Sequence, residues 1–193
     1  MPESLLTRAL ATPTGDAFAE RILDAALAQF CEVGLSRATV EDVARRAGTA
    51  RVTVYRRFAT KNVLVEAVLM REFSRFISEL DATIAELPRI EDRIVEGFAF
   101  GLGYARAHPL VGGMLRMEPE LVLPFMTIRA GPVLAAARGH LAAQLPFPGG
   151  EAVAELMVRI TVSFVTGPDS CIPLATDDDA REFALRFLVP LVQ

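Results

Sequence analysis

Apolar residues return every three or four positions along most of the chain, and nowhere do they alternate with period two. That spacing predicts helices throughout and no sheet. From Asp16 onward, Ile22, Ala26 and Phe30 recur every fourth residue beside Leu23 and Leu27, while Glu20, Asp24 and Glu32 fall on the other face. Gly34 follows as a stop, because glycine accepts the left-handed backbone that ends a helix. Thr39 to Asp42 has the form of a capping box, in which a hydroxyl satisfies an amide left free at a helix start. Val40, Val43, Ala44 and Ala47 then mark a short helix closed by Gly48. A third short helix spans residues 50–58, with Val54 and Phe58 turned to the core. Thr60 and Lys61 open a long one, carrying Leu64, Val65, Val68, Leu69, Phe73 and Phe76 toward Leu80.

The remainder repeats the pattern. Helices are expected over residues 90–107, 110–117 and 119–144, the last kinked or divided by Pro124 and Pro132. Residues 146–150 form a Pro/Gly loop, and a helix over 151–166 follows. Asp177, Asp178 and Asp179 supply acids to the start of a final stripe, over residues 180–191. Residues 1–15, with prolines and no periodicity, read as a loose N-terminal arm. The expected architecture is all-α, with a three-helix unit over residues 16–61 and a larger helical domain over 62–193.

Only Gly48 and Thr49 separate the second and third helices. So tight a turn between two helices is the mark of a helix-turn-helix. With Val54 and Phe58 inward, the third helix leaves Arg51, Thr53, Arg56 and Arg57 outside. Charge is sorted in the same way. Residues 35–61 hold seven basic side chains against two acids, and the residues after them hold 11 against 17. A basic segment in a chain of net charge −4 points to a local polyanion-binding face rather than general stickiness. Free amides at the helix starts beside Thr39 and Lys61 suit phosphates.

The chain has 193 residues, 52% hydrophobic and 23% charged, which suffices for a full core without staples. The longest uncharged run is 12 residues (139–150), short of the ~20 a membrane helix needs. The first residues do not read as a secretory signal, so a cytoplasmic location with Cys31 and Cys171 as reduced thiols is expected. His108 and His140 are too few and scattered for a metal site. No cofactor motif is present: there is no P-loop, and Gly101-x-Gly103 lacks the strand that would give it dinucleotide meaning.

The run from Thr39 to Leu64 closely resembles the N-terminal signature of the TetR family of transcriptional regulators. Thr39, Ala47-Gly48, Thr53-x-Tyr55, Phe58 and Lys61 carry the likeness, and residues 21–34 look like that family's first helix. The resemblance covers roughly residues 17–69 and implies a double-stranded DNA partner. Thr39, Tyr55 and Lys61 would then touch phosphates. Thr49, Arg51, Val52 and Thr53 would reach the major groove, and the Arg51 fork would match guanine O6 and N7. Arg56 would contact backbone or base, and Gly48 would permit the turn. Two positions depart from the pattern. Ala50 stands where the family often has serine, leaving the recognition helix without its usual cap unless Thr49 replaces it. Arg57 stands where an aromatic is common.

The resemblance also implies a homodimer reading a palindromic operator, with a small-molecule effector held in the middle of the chain. The stripes over 151–166 and 180–191 carry more apolar residues than one packing face needs, which suits a bundle between two copies. Met and aromatic residues suit an adaptable pocket, which makes Phe98, Tyr104, Met114, Met117, Phe125, Met126 and Arg129 its candidate lining. The expected function is a regulator, commonly a repressor, rather than an enzyme. The competing reading is a helical ligand-binding or interaction protein without DNA binding.

Overall fold

A computed structural model describes residues 16–167 and 169–193. The expected N-terminal arm lies outside the described residues. Every regular element among them is helical. Helix α1 (Ala17–Arg37) starts on Asp16, whose carboxylate accepts the amides of Phe18 and Ala19, each at 3.1 Å. It breaks at Gly34, where φ is +86°. Helix α2 (Val40–Arg46) and helix α3 (Arg51–Arg57) form the helix-turn-helix, and Gly48 takes the turn at φ +64°. Helix α4 (Lys61–Ile84) is capped by the Thr60 hydroxyl, which accepts the Val63 amide at 3.2 Å.

The second half of the chain begins with α5 (Ile90–Ala107), followed by one wide turn at Pro109–Gly113 and the single-turn α6 (Met114–Met117). Then come α7 (Pro119–Met126), α8 (Gly131–Ala143), α9 (Gly150–Thr166) and α10 (Asp177–Phe183). The last of these continues through Ala184–Leu188 and Val189–Val192 with altered pitch. The helix expected over residues 119–144 is divided. Pro132 sits in the first turn of α8, where there is no amide bond to lose. Pro124 is tolerated inside α7, which ends two residues later, and the two segments meet at 50°.

Two apolar cores organise these elements. The first gathers Ile22 and Phe30 of α1, Val43 of α2, Val54 of α3, and Leu64 and Val68 of α4. Leu110, Met114 and Val122 close it from the other half of the chain. Two seven-residue helices bury too little to stand alone, so residues beyond 61 complete the head. Helix α4 crosses the expected division at 61/62 without a break. The second core joins Ile94, Phe98 and Leu102 of α5, Met157 of α9, and Phe183 and Leu188 at the C-terminal end. Phe183 anchors it, stacked on Phe98 with ring centres 5.2 Å apart and meeting Phe164 edge-on at 5.2 Å. Among the described residues no single helix is long and apolar enough to cross a membrane.

Of the three glycines with positive φ among the described residues, Gly34 precedes the helix-turn-helix and Gly48 makes its turn, and the two differ in surroundings. A Cβ on Gly34 would stand 2.8–2.9 Å from the Glu118 carboxylate, whereas one on Gly48 meets nothing within 4 Å. Gly48→Ala should therefore cost only the backbone penalty, about 1 kcal/mol, and Gly34→Ala clearly more. Urea denaturation of the two variants checks the order, and equal losses would contradict it.

Candidate functional site

The outward face of the helix-turn-helix is built by anchoring α3 from behind. Val54 is fully buried and Phe58 nearly so. The remaining faces of the helix and its leading end are thereby turned outward: Arg51, Val52, Tyr55 and Arg56 are exposed, and Thr49 and Thr53 half-buried. Val52 keeps 65% of its surface, a high value for an apolar side chain with neighbours to pack against. The Arg51 guanidinium lies 5.3 Å from the centre of the Tyr55 ring and 3.8 Å from Glu41. No side chain caps α3 at Ala50, and Thr49 does not replace the missing cap.

Thr39 caps α2 by accepting the Asp42 amide at 3.1 Å, and its hydroxyl donates to the Asp42 carboxylate at 2.6 Å. That bond, with Arg45 adding its charge, holds the Asp42 carboxyl below its ordinary range. Lys61 is half-buried, and its ammonium donates to the Leu35 carbonyl, with the Ser36 carbonyl at 3.5 Å. Three arginines near the face are spent on neighbouring acids. Arg45 meets Asp42 at 3.0 Å, Arg46 meets Glu32 at 2.5 Å, and Arg57 pairs with Asp16. Arg56 makes no ion pair among the described residues.

Behind the head, α4, α5, α8 and α9 enclose a cavity of about 310 Å³, with α7 at its head-side end. Its walls are mostly apolar. Of the residues expected there, Phe98, Tyr104, Phe125 and Met126 line it, and Phe73, Phe76 and Leu80 of α4 add much of the remainder. Met114, Met117 and Arg129 do not. Met114 is 1% exposed and belongs to the head core. Met117 is 65% exposed at the surface. Arg129 covers the outer face of the Phe125 ring and lies 3.6 Å from Glu66. Helical periodicity places a residue on the inner face without saying which of the two cores that face meets.

One end of the cavity carries buried charge. Glu72, 7% exposed, is met by Arg71 at 2.9 Å, Arg75 at 3.0 Å and His108 at 3.2 Å. Burial alone would raise this carboxyl, but the His108 bond and the charges of Arg71 and Arg75 outweigh it and lower the pKa. His108 Nδ1 accepts the amides of Leu110 and Val111 at 3.3 and 3.4 Å, so in the neutral ring the proton sits on Nε2 and points to Glu72. Arg71 also reaches back to Asp24 of α1 at 2.8 Å, tying the cavity wall to the head. His108 stands just past the end of α5, and its ring also lines the cavity. The sequence did carry a signal for Glu72. It follows Leu64 and Val68 at four-residue spacing, a carboxylate on a buried stripe. Among the described residues no group of His, Cys, Asp and Glu side chains is placed to hold a metal ion.

Residues 22–68 match the family described as bacterial regulatory proteins, tetR family. Through these residues the chain is similar to the TetR family of transcriptional regulators. Its members are DNA-binding proteins rather than enzymes. The HTH-type transcriptional regulator AlkX of Mycobacterium tuberculosis is 26% identical over 168 residues, covering 82% of this chain and 77% of that one. Two solved structures share the fold. The TetR family repressor AlkX of a Dietzia strain, implicated in biodegradation of n-alkanes, has a TM-score of 0.72 at 24% identity and covers 91% of this chain and 95% of that one. The regulator FadR of Bacillus subtilis, in complex with stearoyl-CoA, has a TM-score of 0.57 at 18% identity, covering 86% and 97%.

Two outcomes are expected of the Glu72 cluster. Glu72→Gln strands Arg71 and His108 beside a neutral amide and should cost about 3 kcal/mol at neutral pH by chemical denaturation. The folded carboxyl has the lower pKa, so its stabilisation is complete above the ordinary glutamate value of about 4.3. That stabilisation disappears as pH falls through the folded value. The difference between wild type and variant should therefore shrink on acidification, and a difference independent of pH would contradict the assignment.

Proposed function

We propose that this regulator is a homodimeric repressor whose α3 enters the major groove of a palindromic operator, and that an elongated, mainly apolar effector releases it. The observation that carries the reading is the outward face of α3, where Arg51, Val52, Tyr55 and Arg56 stand exposed while Val54 and Phe58 hold the helix in place. In this reading Arg51 reads a base edge, Thr49, Val52 and Thr53 fit the groove, and Thr39, Tyr55, Arg56 and Lys61 hold phosphates.

A second copy is supported by apolar side chains left in water at the far end. Leu156 on α9 is 50% exposed, and Leu185 and Phe187 beyond α10 are 58% and 48% exposed. Two heads on a two-fold axis read inverted half-sites, which one head cannot do. The effector class is supported by the shape of the cavity. It runs along α4 from Leu69 to Ile84, about 22 Å at the helical rise. Arg93, His140 and Gln144 line its far end. The n-alkane connection of one structural neighbour and the stearoyl-CoA bound to another agree with an alkyl chain. Such a ligand acts only by preferring the conformation whose heads misfit successive grooves.

Selection of bound duplexes from random DNA tests the reading directly. An inverted repeat is expected, bound more weakly as salt rises, by a species that sediments as a dimer at micromolar concentration. On the selected duplex, Lys61→Ala and Tyr55→Phe should weaken all sequences alike, while Arg51→Ala also relaxes the base preference. A monomer that enriches no sequence would reject the reading in favour of a ligand-binding protein without DNA.

A further inference from the structure

Glu118, between α6 and α7, reaches 83 positions back along the chain. Its carboxylate accepts the Leu35 amide, the Ser36 amide at 3.3 Å and the Ser36 hydroxyl. The break at Gly34 lies immediately before these residues. A non-helical residue interrupts the backbone ladder, so the amides just beyond it need other partners. Glu118 supplies them, and only a glycine at position 34 lets the carboxylate come so close. The carbonyls of the same two residues point the opposite way and are taken by the Lys61 ammonium. Leu35 and Ser36 thus form a strap held by an acid on one side and a base on the other. The strap leads through the buried Ala38 to Thr39.

The acid immediately precedes α7, a helix with two attachments. Val122 of α7 is buried in the head core, while Phe125 and Met126 of the same helix line the cavity. A displacement of α7 by whatever fills the cavity is therefore felt at Glu118 within two turns of helix. Neutralising or withdrawing Glu118 frees the strap amides and changes what Lys61 holds. The lowered pKa of Glu118, owed first to the Ser36 hydroxyl and then to the strap amides and Lys61, agrees with a carboxylate charged in this position.

We propose that Glu118 is a positioning residue of the DNA-reading head, linking cavity occupancy through the Leu35–Ser36 strap to Lys61. The proposal deepens the regulator reading and rests on it for its purpose, but its first test needs no DNA. Lys61 is the chain's sole lysine, so lysine labelled with carbon-13 at Cε gives one NMR signal at the centre of the strap. Glu118→Gln should move that signal. Ala137→Leu and Val158→Phe, which fill the cavity from α8 and α9, should also move it, and should move it far less when combined with Glu118→Gln. Titration of 1-dodecanol into wild type and Glu118→Gln perturbs the same cavity without relying on a core variant to fold, and the same contrast is expected. On the selected duplex, a filled cavity should weaken wild-type binding about tenfold and leave Glu118→Gln nearly unresponsive. A Lys61 signal unmoved by the cavity-filling variants and by 1-dodecanol overturns the proposal, as does a shift that persists in full without the Glu118 charge. Failure to select any duplex would count against the regulator reading instead, because the Lys61 signal is read on the free protein.

Discussion

Seven-residue helices do not persist in water by themselves, and both halves of the helix-turn-helix are of that length. Their geometry is imposed by burial. Val43 and Val54 have no accessible surface, and both belong to one buried cluster with Phe30, Leu64 and Val68. Each such side chain contributes about 2 kcal/mol when fully withdrawn from water. That contribution fixes the rotation of α3 about its own axis, and the rotation decides which residues face outward. The chemistry of the face is thus a by-product of the packing behind it.

Burial of a different kind governs the junction. The head core takes Met114 and Val122 from the second half of the chain, and Arg71 carries charge from Asp24 to Glu72 in the cavity wall. Helix α4 belongs to both regions at once. A rigid element shared by the head core and the cavity wall transmits displacement better than a flexible linker, because packed interiors resist compression. The cavity is the soft part of this arrangement, since an apolar void forfeits contacts its walls would otherwise make.

Local features were legible in the sequence because their causes are local. Gly34 and Gly48 interrupt helices where left-handed backbone is needed, Thr39 and Thr60 cap the helices that follow them, and Val54 and Phe58 repeat every fourth residue. The failures share a different character. Met114 looked like pocket lining and proved to be head core, because its partners Phe30 and Leu64 are distant in sequence. Glu118 escaped notice for the same reason, since nothing beside it suggests that two amides 82 and 83 positions away await a carboxylate. The mid-chain helix was expected to be kinked or divided at Pro124 and Pro132, and the division falls between them, at Thr127, whose backbone leaves the helical region.

The pairing of Arg45, Arg46 and Arg57 with acids of the same head has a consequence for ionic strength. Cations already neutralised within the protein displace few condensed counterions when a duplex docks, so the entropy gained from ion release comes from a handful of side chains. A segment that looks strongly basic on paper thus behaves as a weakly adhesive one. In the proposed DNA complex, loose, sequence-blind residence on bulk chromosome would be kept low, and a larger share of the affinity would depend on the fit of α3 to its bases.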